Sequence, residues 1–145
     1  MIAYFDSSSI VKWFFDEVHM DLSRDIRDRA EVCFTSLLAY PEVLSAINRA
    51  WRAGRCLKSE MKIVRGEFLR IWPDFIWIRV DEKLMYQSGQ LIFSHGLKGF
   101  DAIHLASAIL LKEEIGESLE ILFSCFDKNL NLAAQKEGFS IHQIS

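Results

Sequence analysis

Ile2-Ala-Tyr-Phe5, then Asp6-Ser-Ser-Ser9, then Ile10, Val11, Phe14 and Phe15: within fifteen residues the chain reads as a strand, a cap and a helix. The first run is short and apolar, as a buried strand is, and the later apolar residues recur at helical rather than alternating spacing. Between them stand four oxygen-bearing side chains suited to the free N–H groups of a first helical turn. A strand that passes directly into a helix opens a βαβ unit, so the fold depends on whether the pattern repeats.

It does repeat. Leu22 to Arg29 reads as a helix and Val32-Cys-Phe-Thr35 as the next strand, ended by Ser36. Pro41 suits the first turn of a long helix, where its missing N–H is not needed, with Val43, Leu44, Ile47, Ala50 and Trp51 lining one face as far as Gly54. Lys58 to Trp72 is another helix, broken at Trp72-Pro73-Asp74 before a strand over Phe75 to Val80. Helices follow over Glu82 to His95 and Asp101 to Glu113, a strand over Leu119 to Ser124, a helix over Asp127 to Glu137, and a final edge strand over Phe139 to Ile144. Interleaving of this kind predicts an α/β fold: a mostly parallel central sheet of four to five strands with helices on both faces.

With 145 residues, half of them hydrophobic, the chain can bury a normal core, and one domain over residues 1–145 is the expectation. No Ser/Gly tract, charge block or repeat suggests a linker. No apolar stretch is long enough to cross a bilayer, and the amino end lacks a basic region followed by a long apolar one, so no membrane association and a cytoplasmic location are expected. Cys33, Cys56 and Cys125 are odd in number and widely spaced, which fits a reducing compartment better than a disulfide framework. The formal charge is -3, but residues 24 to 70 hold ten Lys/Arg against six Asp/Glu, leaving seven against fourteen elsewhere. That places a basic flank beside an acidic remainder.

Four acids, Asp6, Glu42, Asp101 and Asp127, stand where an apolar segment gives way to a helix. In an open α/β sheet the functional crevice lies beyond the carboxyl ends of the strands, so acids at strand ends or in first helical turns can converge there. Each one taken alone fits plain helix capping. Asp6 has Ser7, Ser8 and Ser9 beside it as replacement caps, while Glu42 and Asp101 border surfaces expected to be buried, where an unpaired carboxylate is costly. Converging carboxylates raise one another's pKa unless a divalent cation neutralises them. Hard oxygen donors suit Mg²⁺ or Mn²⁺, and such a site suits phosphoryl chemistry.

Four blocks carry a resemblance. Tyr4-Phe-Asp-Ser-Ser-Ser-Ile-Val-Lys12, Phe34-Thr-Ser-Leu-Leu-Ala-Tyr-Pro-Glu-Val43, Gly99-Phe-Asp-Ala-Ile-His-Leu-Ala-Ser-Ala108 and Phe126-Asp-Lys-Asn-Leu130, in this order and over nearly the full length, resemble the PIN domain, and more closely the small VapC-like toxin ribonucleases of prokaryotic toxin–antitoxin pairs. The resemblance implies a three-layer α/β/α PIN-like fold and a Mg²⁺- or Mn²⁺-dependent endoribonuclease. It also implies Asp6, Glu42, Asp101 and Asp127 as the catalytic, metal-binding acids, with a cognate antitoxin protein and a homodimer as partners. One position departs: many relatives carry Thr two residues before the fourth acid, where this chain has Cys125, so hydroxyl assistance there falls to Ser124 or is missing.

Other residues have two readings each. Ser8 serves either as a support that hydrogen-bonds the first acid or as a helix cap. His104, one turn after Asp101, reads as an imidazole packed among apolar neighbours, although its position also faces the acids. Arg49, Arg52, Arg55, Lys58 and Lys62 form a solvated helix face or a guide for an RNA backbone, with Arg52 and Arg55 the pair to test. Trp13, Phe14, Phe15, Trp51, Trp72 and Trp77 are mostly core, and any exposed remainder suits a protein partner. A catalytically inactive PIN-like scaffold that binds protein or RNA is the alternative function. An aspartyl phosphatase ranks lower, because it expects a second Asp where Ser8 stands.

Overall fold

A computed structural model describes residues 1–15 and 19–142. The chain runs β1 (Ile2–Phe5), α1 (Ser7–Val11), α2 (Met20–Arg29), β2 (Val32–Ser36), α3 (Ala39–Arg52), α4 (Lys58–Ile71), β3 (Ile76–Ile78), α5 (Glu82–His95), α6 (Gly99–Ile115), β4 (Ile121–Ser124), α7 (Lys128–Lys136) and β5 (Ser140–Ile141). All five strands are parallel, in the order β3-β2-β1-β4-β5. The expected three-layer α/β/α architecture is therefore present.

Side chains alternate across β1 and decide which helices cover which face. Ala3 and Phe5 point to one side, where they pack with Ile10, Trp13, Ile26, Val43, Ile47 and Phe68 from α1 to α4 and the α1–α2 connection. Tyr4 points to the other, joining Phe34, Phe123, Leu84, Leu105 and Leu130, so α5, α6 and α7 cover that face. Phe5, Phe68 and Phe123 are fully buried. Each such burial contributes about 1.5–3 kcal/mol before entropy is counted. Helix α6 is buried at Ala102 through Ala108 and again at Leu111, which is nearly all round. A helix of that kind belongs in the middle of its layer, and it carries polar residues there with it.

The strand order has one functional consequence. From β1 the chain adds β2 and then β3 outward on one side, and returns to place β4 on the other side of β1, so the order reverses between β1 and β4. A crevice opens beyond the carboxyl ends of such a pair. The Asp6 N–H donates to the Ser124 carbonyl at 3.1 Å, which extends the β1–β4 ladder by one bond and ties the first acid to the mouth of that crevice.

Several boundaries differ from expectation for local reasons. Trp72–Asp74 forms a 3-10 turn with Pro73 near its start, and this turn displaces the strand expected over Phe75 to Val80, leaving Ile76–Ile78. The last strand is Ser140–Ile141, and the Ile144 end of the expected edge strand lies outside the described residues. Cys33, Cys56 and Cys125 are free thiols. Among the described residues, no helix is long and apolar enough to cross a membrane.

Candidate active site

Asp6, Glu42 and Asp101 line one pocket of about 320 Å³, together with Ser7, Ser8, His104 and the cations Lys12 and Arg49. Three different constructions bring the acids there. Asp6 follows β1 directly, Glu42 stands in the first turn of α3 just after β2, and Asp101 stands in the first turn of α6. A larger cleft of about 690 Å³, lined by Trp13, Arg24, Arg27 and Arg70 among others, reaches Val32 and Ile76. Those residues begin β2 and β3, so this cleft lies at the end of the sheet opposite the crevice.

Asp6 is 4% exposed and caps α1, accepting the Ser9 N–H at 2.9 Å. The capping role that looked replaceable by neighbouring serines is thus filled by the acid itself. Ser8 supports the acid rather than capping the helix: its hydroxyl lies 2.8 and 2.9 Å from the two carboxylate oxygens. Burial pushes the Asp6 carboxyl up to about 6, against the opposing pull of His104, the Ser9 N–H and Ser8, while Asp101 pushes it further up. Burial outweighs the donors here, and a nearby cation would reverse the balance.

Glu42 is held on one oxygen. Its Oε1 lies 2.6 Å from the Ser7 hydroxyl and 2.8 Å from His104 Nε2. Burial alone raises the Glu42 carboxyl, but the hydrogen bond and charge of His104, the Ser7 hydroxyl and Arg49 bring it below the ordinary value. His104 itself is 2% exposed, and its Nδ1 lies 2.7 Å from the Tyr4 hydroxyl. The reading of His104 as an imidazole merely packed among apolar neighbours is therefore corrected. It is buried and it also bonds one of the acids. Its place one turn after Asp101 is the local signal for an approach to the acids, whereas the Tyr4 contact spans 100 positions and has none.

Asp101 is raised first by burial and next by Asp127, with Glu42 adding to the push and His104 and Lys98 opposing it. Asp127 does not line the pocket, yet it is close enough to act on Asp101, and it caps α7 by accepting the Leu130 N–H at 2.8 Å. The fourth acid thus acts on Asp101 by its charge without lining the pocket. Ser124, the hydroxyl available in place of the missing Thr, turns away toward Ser9 at 2.7 Å and His142 at 3.4 Å. Cys125 donates to the Asp127 carbonyl at 3.6 Å and gives its carboxylate no hydroxyl.

The donor set suits a hard cation: oxygen ligands from several carboxylates, two of them raised by burial and mutual repulsion. Among the described residues no three Asp, Glu, His or Cys side chains are arranged to hold a metal ion as they stand.

Of the basic series, Arg49 alone lines the pocket. The Arg52 guanidinium lies over the Trp51 ring at 4.4 Å and Lys58 over the same ring at 6.0 Å, while Arg55 lines a separate cleft with Phe14, Phe15 and Cys56. Lys12, not part of that series, supplies the second cation. Of the aromatics, Trp13 and Trp72 are core, whereas Trp77 is 41% exposed. Of the other histidines, His95 pairs with Glu137 at 2.9 Å, and His19 and His142 pack against Phe126.

The model of the PIN domain family matches residues 3–136. Two Mycobacterium tuberculosis proteins, Ribonuclease VapC45 and Ribonuclease VapC49, are each 28% identical to this chain over 137 residues, which covers 94% of it and 92% of theirs. Among solved structures, Mycobacterium tuberculosis VapC20, described as a toxin that cleaves the sarcin–ricin loop, matches with a TM-score of 0.66 at 15% identity, covering 94% of this chain and 95% of that one. The likeness to that structure is one of fold.

Proposed function

The chain belongs to the PIN domain family, and on that basis we propose that it is a Mg²⁺- or Mn²⁺-dependent endoribonuclease that hydrolyses RNA phosphodiester bonds as the toxin of a toxin–antitoxin pair. The observation that carries this reading is the convergence of Asp6, Glu42 and Asp101, from three separate elements, on one pocket. Plain capping accounts for Asp6 and Asp127 but not for a shared pocket, and it leaves the raised carboxyls of Asp6 and Asp101 without a neutralising partner.

Asp6 and Asp101 would hold the ion, with Glu42 at its edge and Asp127 acting on Asp101 by its charge. A divalent ion bound there lowers the pKa of water and neutralises charge on the phosphate. Ser8 keeps both Asp6 oxygens in place. Arg49 and Lys12, at the rim of an otherwise acidic pocket, balance the phosphate's charge as the backbone enters. An antitoxin protein and a homodimer complete the proposal. Tyr86 and Phe93, 69% and 93% exposed, lie on one side of α5 and provide apolar surface for a protein contact.

The test is cleavage of structured RNAs by purified, partner-free protein. The expected result is Mg²⁺- or Mn²⁺-dependent cleavage that EDTA abolishes and that Asp101→Asn loses with the fold intact. A folded protein that leaves structured RNAs uncut under both metals, while its loss causes no growth release in cells expressing it, defeats the reading. The scaffold alternative draws on one observation, the use of Asp6 and Asp127 as N-caps. It predicts no stoichiometric Mn²⁺ binding that Asp101→Asn removes.

A further inference from the structure

His104 is the one buried imidazole among the described residues that bonds an acid of the pocket, and the atoms around it dictate where its hydrogens lie. Ser7 has a single hydroxyl hydrogen, directed to Glu42 Oε1 at 2.6 Å. The 2.8 Å contact between His104 Nε2 and that same oxygen needs a hydrogen of its own, which an imidazole N–H supplies to a carboxylate oxygen. Nε2 therefore donates. On the other side of the ring, Nδ1 lies 2.7 Å from the Tyr4 hydroxyl. The phenolic O–H can donate to that nitrogen, so the ring is held from both of its nitrogens.

We propose that His104 is a positioning residue, held at Nδ1 by Tyr4, that donates from Nε2 to the Glu42 carboxylate at Oε1 and leaves Oε2 for the contents of the pocket. The Tyr4–His104–Glu42 chain links a residue on β1, a residue on α6 and a residue on α3, so a shift in any of these elements reaches the acid. Among the described residues, the hydrogen bonds to Glu42 all end on Oε1. The orientation of a ligand through a histidine whose second nitrogen is itself bonded is a general device of metal sites, here with the carboxylate as ligand and the imidazole behind it. Residues in that outer position typically change affinity or activity by roughly 10- to 100-fold when removed.

This inference rests on the endoribonuclease reading for its kinetic arm only. In the kinetic arm, His104→Leu should lower kcat for RNA by roughly 10- to 100-fold with KM little changed, and His104→Gln, whose amide N–H can still reach Glu42, should recover part of it. In the spectroscopic arm, ¹⁵N resonances of His104 in the wild-type protein should show a protonated Nε2, and Tyr4→Phe should shift the Nδ1 resonance. A wild type that cleaves RNA beside a folded His104→Leu variant with unchanged kcat overturns the proposal, as does an unprotonated Nε2 in the wild type. Should His104→Leu fail to fold, Tyr4→Phe and the resonances decide. Should the wild type cleave nothing, it is the ribonuclease reading that fails, and the resonances still decide whether Nε2 donates.

Discussion

The Ser8 hydroxyl lies within hydrogen-bond reach of both carboxylate oxygens of Asp6, at 2.8 and 2.9 Å. It has one hydrogen to share between them, and the Ser9 N–H already occupies Oδ1 at 2.9 Å. The acid is therefore well oriented and poorly solvated at once. Its value near 6 expresses that combination: the donors that aim the carboxylate do not repay what it loses by leaving water.

Asp6→Asn should stabilise the metal-free protein at pH 7.5 while abolishing cleavage. A carboxyl near 6 in the folded chain and 3.8 in the unfolded one binds its proton more tightly when folded. Its contribution to stability is fully present below pH 3.8 and is lost as pH rises through about 6. A shift of roughly two units corresponds to about 3 kcal/mol, an upper figure at this burial. Asparagine keeps the oxygen that caps α1 and carries no charge. Thermal melts in EDTA should show the variant gaining on wild type between pH 5 and pH 7.5; a variant that loses ground over that range contradicts the account.

Mn²⁺ should raise the melting temperature of wild type and have little effect on Asp101→Asn. The Asp101 carboxyl is raised by burial and by Asp127, so a cation between it and Asp6 relieves two unfavourable terms together. At about 100 times Kd, a single site stabilises by about 2.7 kcal/mol. Melts with and without Mn²⁺, repeated with EDTA, measure this directly. An equal shift in both proteins places the ion elsewhere.

Most of the fold was legible because parallel strands and their helices are local patterns. Ile2–Phe5 and Ile121–Ser124 are short apolar runs with polar residues just beyond, and both formed strands where periodicity put them. The convergence of Asp6, Glu42 and Asp101 was legible for a related reason, since strand ends and first helical turns share one end of a parallel sheet. What could not be read was side-chain pairing across the fold. His104 looked like core because α6 is apolar nearly all round, and its polar partners, Tyr4, Ser7 and Glu42, all come from other elements. The basic series failed similarly. Arg49 and Arg52 are three residues apart, yet one lines the pocket while the other rests on Trp51.

Arg49→Ala should weaken RNA binding and lower its salt dependence more than the pair Arg52→Ala and Arg55→Ala. Each phosphate contact contributes roughly 0.7 to the slope of log K against log salt for a single strand. Removing Arg49 should cost about one such unit. Its loss also takes away a charge that lowers the Glu42 carboxyl. Binding measured over a range of KCl concentrations, in Ca²⁺ to suppress turnover, separates the two variants. A larger change in slope for the Arg52, Arg55 pair returns the RNA path to the outer face of the helix.

Asp127 serves two roles that different substitutions can separate. Its carboxylate caps α7 through the Leu130 N–H at 2.8 Å, and its charge acts on Asp101. Asp127→Ala removes both, and should cost about 1 kcal/mol of stability in addition to any effect on cleavage. Asp127→Asn retains a capping oxygen and removes only the charge, so it should keep stability near wild type while lowering the Asp101 carboxyl. If Asp127 contributes to the site through that charge, the asparagine variant weakens Mn²⁺ binding without unfolding. Cys125→Thr, which restores the hydroxyl that this chain lacks, should then strengthen Mn²⁺ binding in the parent and leave Asp127→Asn unchanged, because a hydroxyl two residues before the acid can act only by orienting a carboxylate. Titration of the four proteins with Mn²⁺, alongside their melts, decides it: if Asp127→Asn binds Mn²⁺ as wild type does, the fourth acid is a helix cap and the site is built from the other three.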